Sequence, residues 1–79
     1  MDYSNMSIRQ IAALINNDWS NVNFAAQPYL KAMFALDTVK DNYYCDTGES
    51  VVAYFLCNAR SWKGDVAREI KKELNKRIK

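Results

Sequence analysis

No histidine occurs anywhere in the chain. That absence removes the most common general base, the most common zinc ligand and every Ser–His or Cys–His nucleophile arrangement. Cys45 and Cys57 are the only cysteines, too few for a structural zinc site without histidine partners. The two glycines, Gly48 and Gly64, stand far apart, so no glycine-rich phosphate loop of the Walker or dinucleotide type can form. Pro28 is the sole proline, and so few breaks argue against a turn-rich sandwich or barrel. No apolar run approaches the ~18 residues that a membrane span needs. The opening Met1-Asp2-Tyr3-Ser4-Asn5 is acidic and polar, unlike an export signal, so the expected compartment is the cytoplasm. In that compartment Cys45 and Cys57 are expected to be free thiols.

What the chain does have is enough apolar material for one core. Of its 79 residues, 49% are apolar and 13% aromatic, far from the profile of disorder. This length suits a single domain over residues 1–79, which buries roughly 60% of its unfolded surface. The expected fold is all-α, a compact domain of about four short helices.

Ser7 opens the first helix, since Ser7-Ile8-Arg9-Gln10 fits a capping box. Ile8, Ile11, Ala12 and Ile15 then share one face, which Leu14 widens, and Asn16-Asn17-Asp18 weakens the end. Pro28 suits the first position of a second helix running to about Leu36. Tyr29, Leu30, Met33, Phe34 and Leu36 leave it apolar on most sides, which predicts a central helix. Asp37 to Asp46 reads as a polar loop holding Tyr43 and Tyr44. Asp46 with Glu49 predicts the cap of a third, buried helix carrying Val51, Val52, Tyr54, Phe55, Leu56 and Ala59. Ser61 is the expected cap of a last, amphipathic helix with Val66, Ala67, Ile70, Leu74 and Ile78 in its stripe. Asp65–Arg68, Glu69–Lys72 and Glu73–Arg77 are spaced to pair along it.

Charge is divided along the chain. Residues 60–79 contain eight Lys or Arg against three acids, whereas residues 1–59 contain three bases against six acids. Arg60, Lys63, Arg68, Lys71, Lys72 and Lys76 are therefore candidates for contact with an acidic partner or with phosphates. Lys and Arg near a helix C-terminus also serve the dipole, and Asp65, Glu69 and Glu73 dilute the field. Tyr43 and Tyr44 are candidate anchors of a protein interface, because two adjacent side chains cannot easily share one apolar wall. Trp19 and Trp62 are expected in the core. Asp37, Asp41, Asp46 and Glu49 are expected to be loop and cap carboxylates. With little volume for a concave site of ~300 Å³ or more, the chain is not expected to be an enzyme or to hold a cofactor or metal.

Three stretches carry a resemblance. They are Ile8-Arg9-Gln10-Ile11-Ala12 with Asp18-Trp19, Ala26-Gln27-Pro28-Tyr29-Leu30-Lys31-Ala32-Met33, and Tyr54-Phe55-Leu56-Cys57-Asn58-Ala59 continuing through Trp62-Lys63-Gly64-Asp65-Val66-Ala67-Arg68-Glu69-Ile70-Lys71. Together, over about residues 7–76, they resemble small proteins encoded by phages and prophages that have no assigned function. The resemblance implies a context in which a small protein without enzyme motifs binds a host protein complex and inhibits it, as anti-CRISPR proteins inhibit Cas effectors. A small nucleic-acid-binding regulator that uses the basic C-terminal helix is the alternative expectation.

Overall fold

A computed structural model describes residues 3–79; Met1 and Asp2 of the polar opening lie outside them. The elements in order are α1 (Ile8–Asp18), α2 (Gln27–Met33), β1 (Asn42–Tyr43), β2 (Asp46–Thr47), α3 (Gly48–Cys57) and α4 (Asp65–Arg77). The fold is thus mostly helical with a small antiparallel hairpin, not purely all-α. The hairpin arises inside the expected polar loop, with Asn42 opposite Thr47 and Tyr43 opposite Asp46. Tyrosine favours strands, and a two-residue turn is enough to fold the segment back on itself.

The α1 cap forms as the sequence predicts. Ser7 Oγ accepts from the Gln10 amide at 3.1 Å, and the Ser7 amide donates to Gln10 Oε1 at 2.9 Å. The next two amides, of Ile8 and Arg9, donate to the carbonyls of Asp37 and Leu36 at 2.8 and 2.9 Å. The first turn of α1 is thereby closed by the segment that leaves α2. Ile8, Ile11, Ala12 and Ile15 are fully buried along the expected face.

Three boundaries move. Pro28 occupies the second turn-position of α2, after Gln27, and the chain past Met33 tightens into i→i+3 bonds through Leu36. Thr47, not Asp46, caps α3: it is the last residue of the hairpin, and its side chain accepts from the Ser50 amide at 3.1 Å. Ser61 does not cap α4. Trp62 first turns into the core, its amide bonded to the Ala59 carbonyl at 3.1 Å, and the helix starts only after Gly64. Gly64 has φ 115° and ψ 177°, a conformation that side chains essentially exclude. Gly48 is required for a different reason. A Cβ there would lie 2.7 Å from the Val39 carbonyl oxygen, so α3 could not press so closely on that turn.

Neither α2 nor α3 is buried all round as expected. Leu30, Ala32 and Met33 of α2 and Val51, Val52 and Phe55 of α3 point inward, while Phe34 and Tyr54 face out. A domain this small has no layer left to cover a second helix face.

The aromatic centre of the core joins three elements. The Trp19 and Trp62 rings stack with centroids 5.8 Å apart, and the Phe55 ring meets each edge-on at 6.3 and 6.4 Å. The Trp62 indole N–H donates to Asp18 Oδ2 at 2.9 Å, so the end of α1 is completed by this bond, not merely weakened by polar residues. Both tryptophans are buried, at 7% and 2% exposure. Arg77 closes the molecule from the other side. It donates to Glu73 Oε2 at 2.7 Å and to the carbonyls of Met6 and Tyr3, each at 2.7 Å.

Trp62→Ala should therefore cost about 3–5 kcal/mol of stability, through lost burial and the cavity left between Trp19 and Phe55. Phe24→Ala, on the surface, should stay within about 0.5 kcal/mol. Urea unfolding of both variants checks the contrast.

Candidate functional site

The expected contact residues are distributed over two elements. Tyr43 lies in β1 and is half-buried against the core, and Tyr44 begins the hairpin turn. Tyr44 is 88% exposed and has φ 57°. A bulky residue in this left-handed region is an outlier that costs about 1–3 kcal/mol, and the first central position of such a turn normally belongs to glycine. Tyr43 and Tyr44 meet edge-to-face with centroids 4.7 Å apart, so the half-buried ring braces the exposed one. Cys45 completes the turn as an exposed, unbridged thiol, and Cys57 is likewise exposed and unbridged at the end of α3.

The hairpin packs on α3, whereas the basic candidates belong to the α3–α4 turn and to α4. Those residues separate further. Lys63, Arg68 and Lys71 line a hollow of about 270 Å³ beside Trp62 and Gly64. Lys72 and Lys76 line a larger one of about 640 Å³ with Tyr3, Glu69 and Lys79. Arg60 is exposed in the turn before Trp62. Several of these cations are already engaged. Arg68 pairs with Asp65 at 2.6 Å, and Lys71 donates to the Trp62 carbonyl at 2.6 Å with its ammonium 5.8 Å from the Trp62 ring centre. Partial burial, and then the neighbouring Lys63 charge, push the Lys71 ammonium below its usual pKa. Of the three expected helix pairs, Asp65–Arg68 and Glu73–Arg77 form, while Glu69 and Lys72 make no ion pair among the described residues.

Two further depressions are broad and open to solvent. A surface depression of about 800 Å³ lies between the start of α1 and residues 37–39, and another of about 630 Å³ lies between the end of α1 and α2. The first collects Arg9, Arg77, Ser7 and Thr38, but the Ser7 amide and hydroxyl and the Arg77 guanidinium are already hydrogen-bonded. Asp41 is not an idle loop carboxylate. Its Oδ2 accepts the amides of Asp37 and Thr38 at 2.9 and 3.0 Å, shaping the turn that leads into the hairpin.

Sequence reasoning missed one surface. Phe24 is 86% and Tyr54 54% exposed, and Phe34 also faces solvent. Helical periodicity had assigned Phe34 and Tyr54 to the interior. The available signal was the near-absence of charge around them.

No family model matches this chain, and neither a curated protein nor a solved structure matches it. Among the described residues no helix is long and apolar enough to cross a membrane.

The Asp41 turn has a pH signature. The amide of Thr38, then that of Asp37, hold its carboxyl below the ordinary value of 3.8; slight desolvation opposes them and Arg9 assists. A depressed folded pKa contributes stability that is complete above the unfolded value and disappears as pH falls through the folded one. Asp41→Asn should lower stability at neutral pH and flatten its decline below the ordinary aspartate pKa. Melting curves across the acid range measure both effects.

Proposed function

We propose that this chain is a non-catalytic binding protein that inhibits a host protein complex by seating the Tyr44 hairpin in a pocket of its partner. The observation that carries the proposal is the strained, exposed Tyr44. Inside the domain the Tyr44 ring meets only the Tyr43 ring among aromatic partners and otherwise faces solvent, while its backbone sits at φ 57°, where a glycine would be relaxed. Strain kept at an exposed aromatic tip is what an interface anchor requires: a large ring, few rotors and a fixed direction. The hairpin turn, braced by Tyr43, supplies that direction.

The likeness to phage and prophage proteins supplies the context. In it the partner is a host protein complex, with a CRISPR–Cas effector as the leading candidate. Arg60, Lys63, Arg68, Lys71, Lys72 and Lys76 then act as an outlying basic surface that speeds approach to an acidic partner. A nucleic-acid-binding regulator is the second reading, supported by Lys63, Arg68 and Lys71 lining one hollow. The Asp65 partner of Arg68 and the carbonyl partner of Lys71 leave fewer cations for phosphate than the sequence offers. A gel shift at ~50 and ~200 mM salt separates the readings, since phosphate binding falls steeply with salt.

The decisive variants are at the tip. Tyr44→Gly should change stability by no more than about 1 kcal/mol, because relief of the positive-φ strain is set against the lost ring contact with Tyr43. The same change should abolish capture of the bacterial partner, while Tyr44→Phe keeps it. Capture by the glycine variant at the wild-type level would overturn the reading.

A further inference from the structure

The hairpin that carries Tyr44 is too small to hold itself together. Its ladder consists of two residue pairs, Asn42 with Thr47 and Tyr43 with Asp46. A lone two-stranded hairpin is marginal in water, and this one also bears a tyrosine at φ 57° in its turn. Its persistence has to come from its base.

The two legs are anchored differently. The second runs without a break into α3, whose first turn Thr47 caps. The first continues no helix. It leaves a segment, residues 36–39, that Leu36 and Val39 seat in the core and that accepts the first amides of α1. Between that segment and the hairpin stands Asp41. Its Oδ2 accepts the amides of both Asp37 and Thr38, and its own amide donates back to the Thr38 carbonyl at 3.1 Å. Side chain and main chain of one residue thus grip the same turn. Across the hairpin, the Asp41 carbonyl accepts the Gly48 amide at 2.6 Å, one step below the Asn42–Thr47 pair, where the second leg becomes α3.

We propose that Asp41 is the positioning residue of the hairpin: it closes the base against the 36–39 segment and against Gly48, and so fixes the direction in which Tyr44 leaves the domain. A carboxylate that accepts backbone amides makes stronger bonds than a neutral group, and two amides converging on one oxygen leave it little angular freedom. The other link across the base is weaker. Lys40 and Glu49 lie 3.7 Å apart with both side chains substantially exposed, the kind of ion pair that contributes little. A ring already held in one direction loses less freedom when a partner takes it. That last step alone rests on the reading of Tyr44 as an anchor; the ordering of the hairpin does not.

Backbone ¹⁵N relaxation on the partner-free protein tests the assignment. In the wild-type chain the amides of Tyr44 and Cys45 should show order parameters like those of α1 and α3, about 0.85. Asp41→Ala should lower them below about 0.6 across residues 43–46 while α1 and α3 keep theirs. Asp41→Asn should restore wild-type order at the tip, because both amides use a single oxygen and the Asn side-chain oxygen can accept them without the charge. Tyr44→Gly, the variant that tests capture, should leave the order of Asn42 and Thr47 unchanged, so the two readings fail separately. A tip that is mobile in the wild-type chain, or still ordered in Asp41→Ala, overturns the proposal. So does an Asn variant as mobile as the Ala one. Loss of order throughout α1 and α3 in Asp41→Ala overturns it too, since Asp41 would then serve the whole fold and not the tip.

Discussion

The stacked pair of Trp19 and Trp62, with Phe55 set edge-on against both, is the constraint on which the remaining architecture depends. It gathers the end of α1, the last turn of α3 and the approach to α4 at one point. The bond from the Trp62 indole to Asp18 sets its direction as well as its depth. Because Trp62 must enter the core before α4 begins, the chain needs a residue able to turn sharply after it. Gly64, not a hydroxyl cap at Ser61, meets that need. The amphipathic helix then lies with Ala67, Ile70 and Leu74 inward and its lysines outward. The division of α4 into two basic groups follows from this placement.

Local signals were legible where they answered to local physics. The Ser7–Gln10 box, the isoleucine stripe of α1 and the spacing of Asp65–Arg68 and Glu73–Arg77 each depend on residues within one or two helical turns. Signals that needed knowledge of neighbours were not. Apolar periodicity on α2 and α3 promised burial all round, but a domain with one core has only one inside, and Phe34 and Tyr54 fell on the other side of it. The cap of α3 shifted by a residue because a strand pair, invisible to helix patterns, runs on to Thr47, so that the helix starts only at Gly48. Of the proposed contact surface, Tyr44 was readable as an aromatic in a polar setting. Its backbone strain was not, since φ at that position is set by the return of the hairpin.

The surface proposed as functional keeps a large aromatic ring in water, at a cost in solvation and in the backbone energy of Tyr44. Small domains have little stability to spare, of the order of 5 kcal/mol for this size. Features that reduce it without helping the core are thus informative about what lies outside the fold. The basic residues are less informative, because several of them serve the helix that carries them.

Arg77 links positions more than seventy residues apart by holding the carbonyls of Met6 and Tyr3 while clasped by Glu73. In most small domains the two extremities fray independently. Here one guanidinium ties Tyr3 and Met6 to the last turn of α4, so loosening that turn removes the contacts that hold residues 3–6 in place.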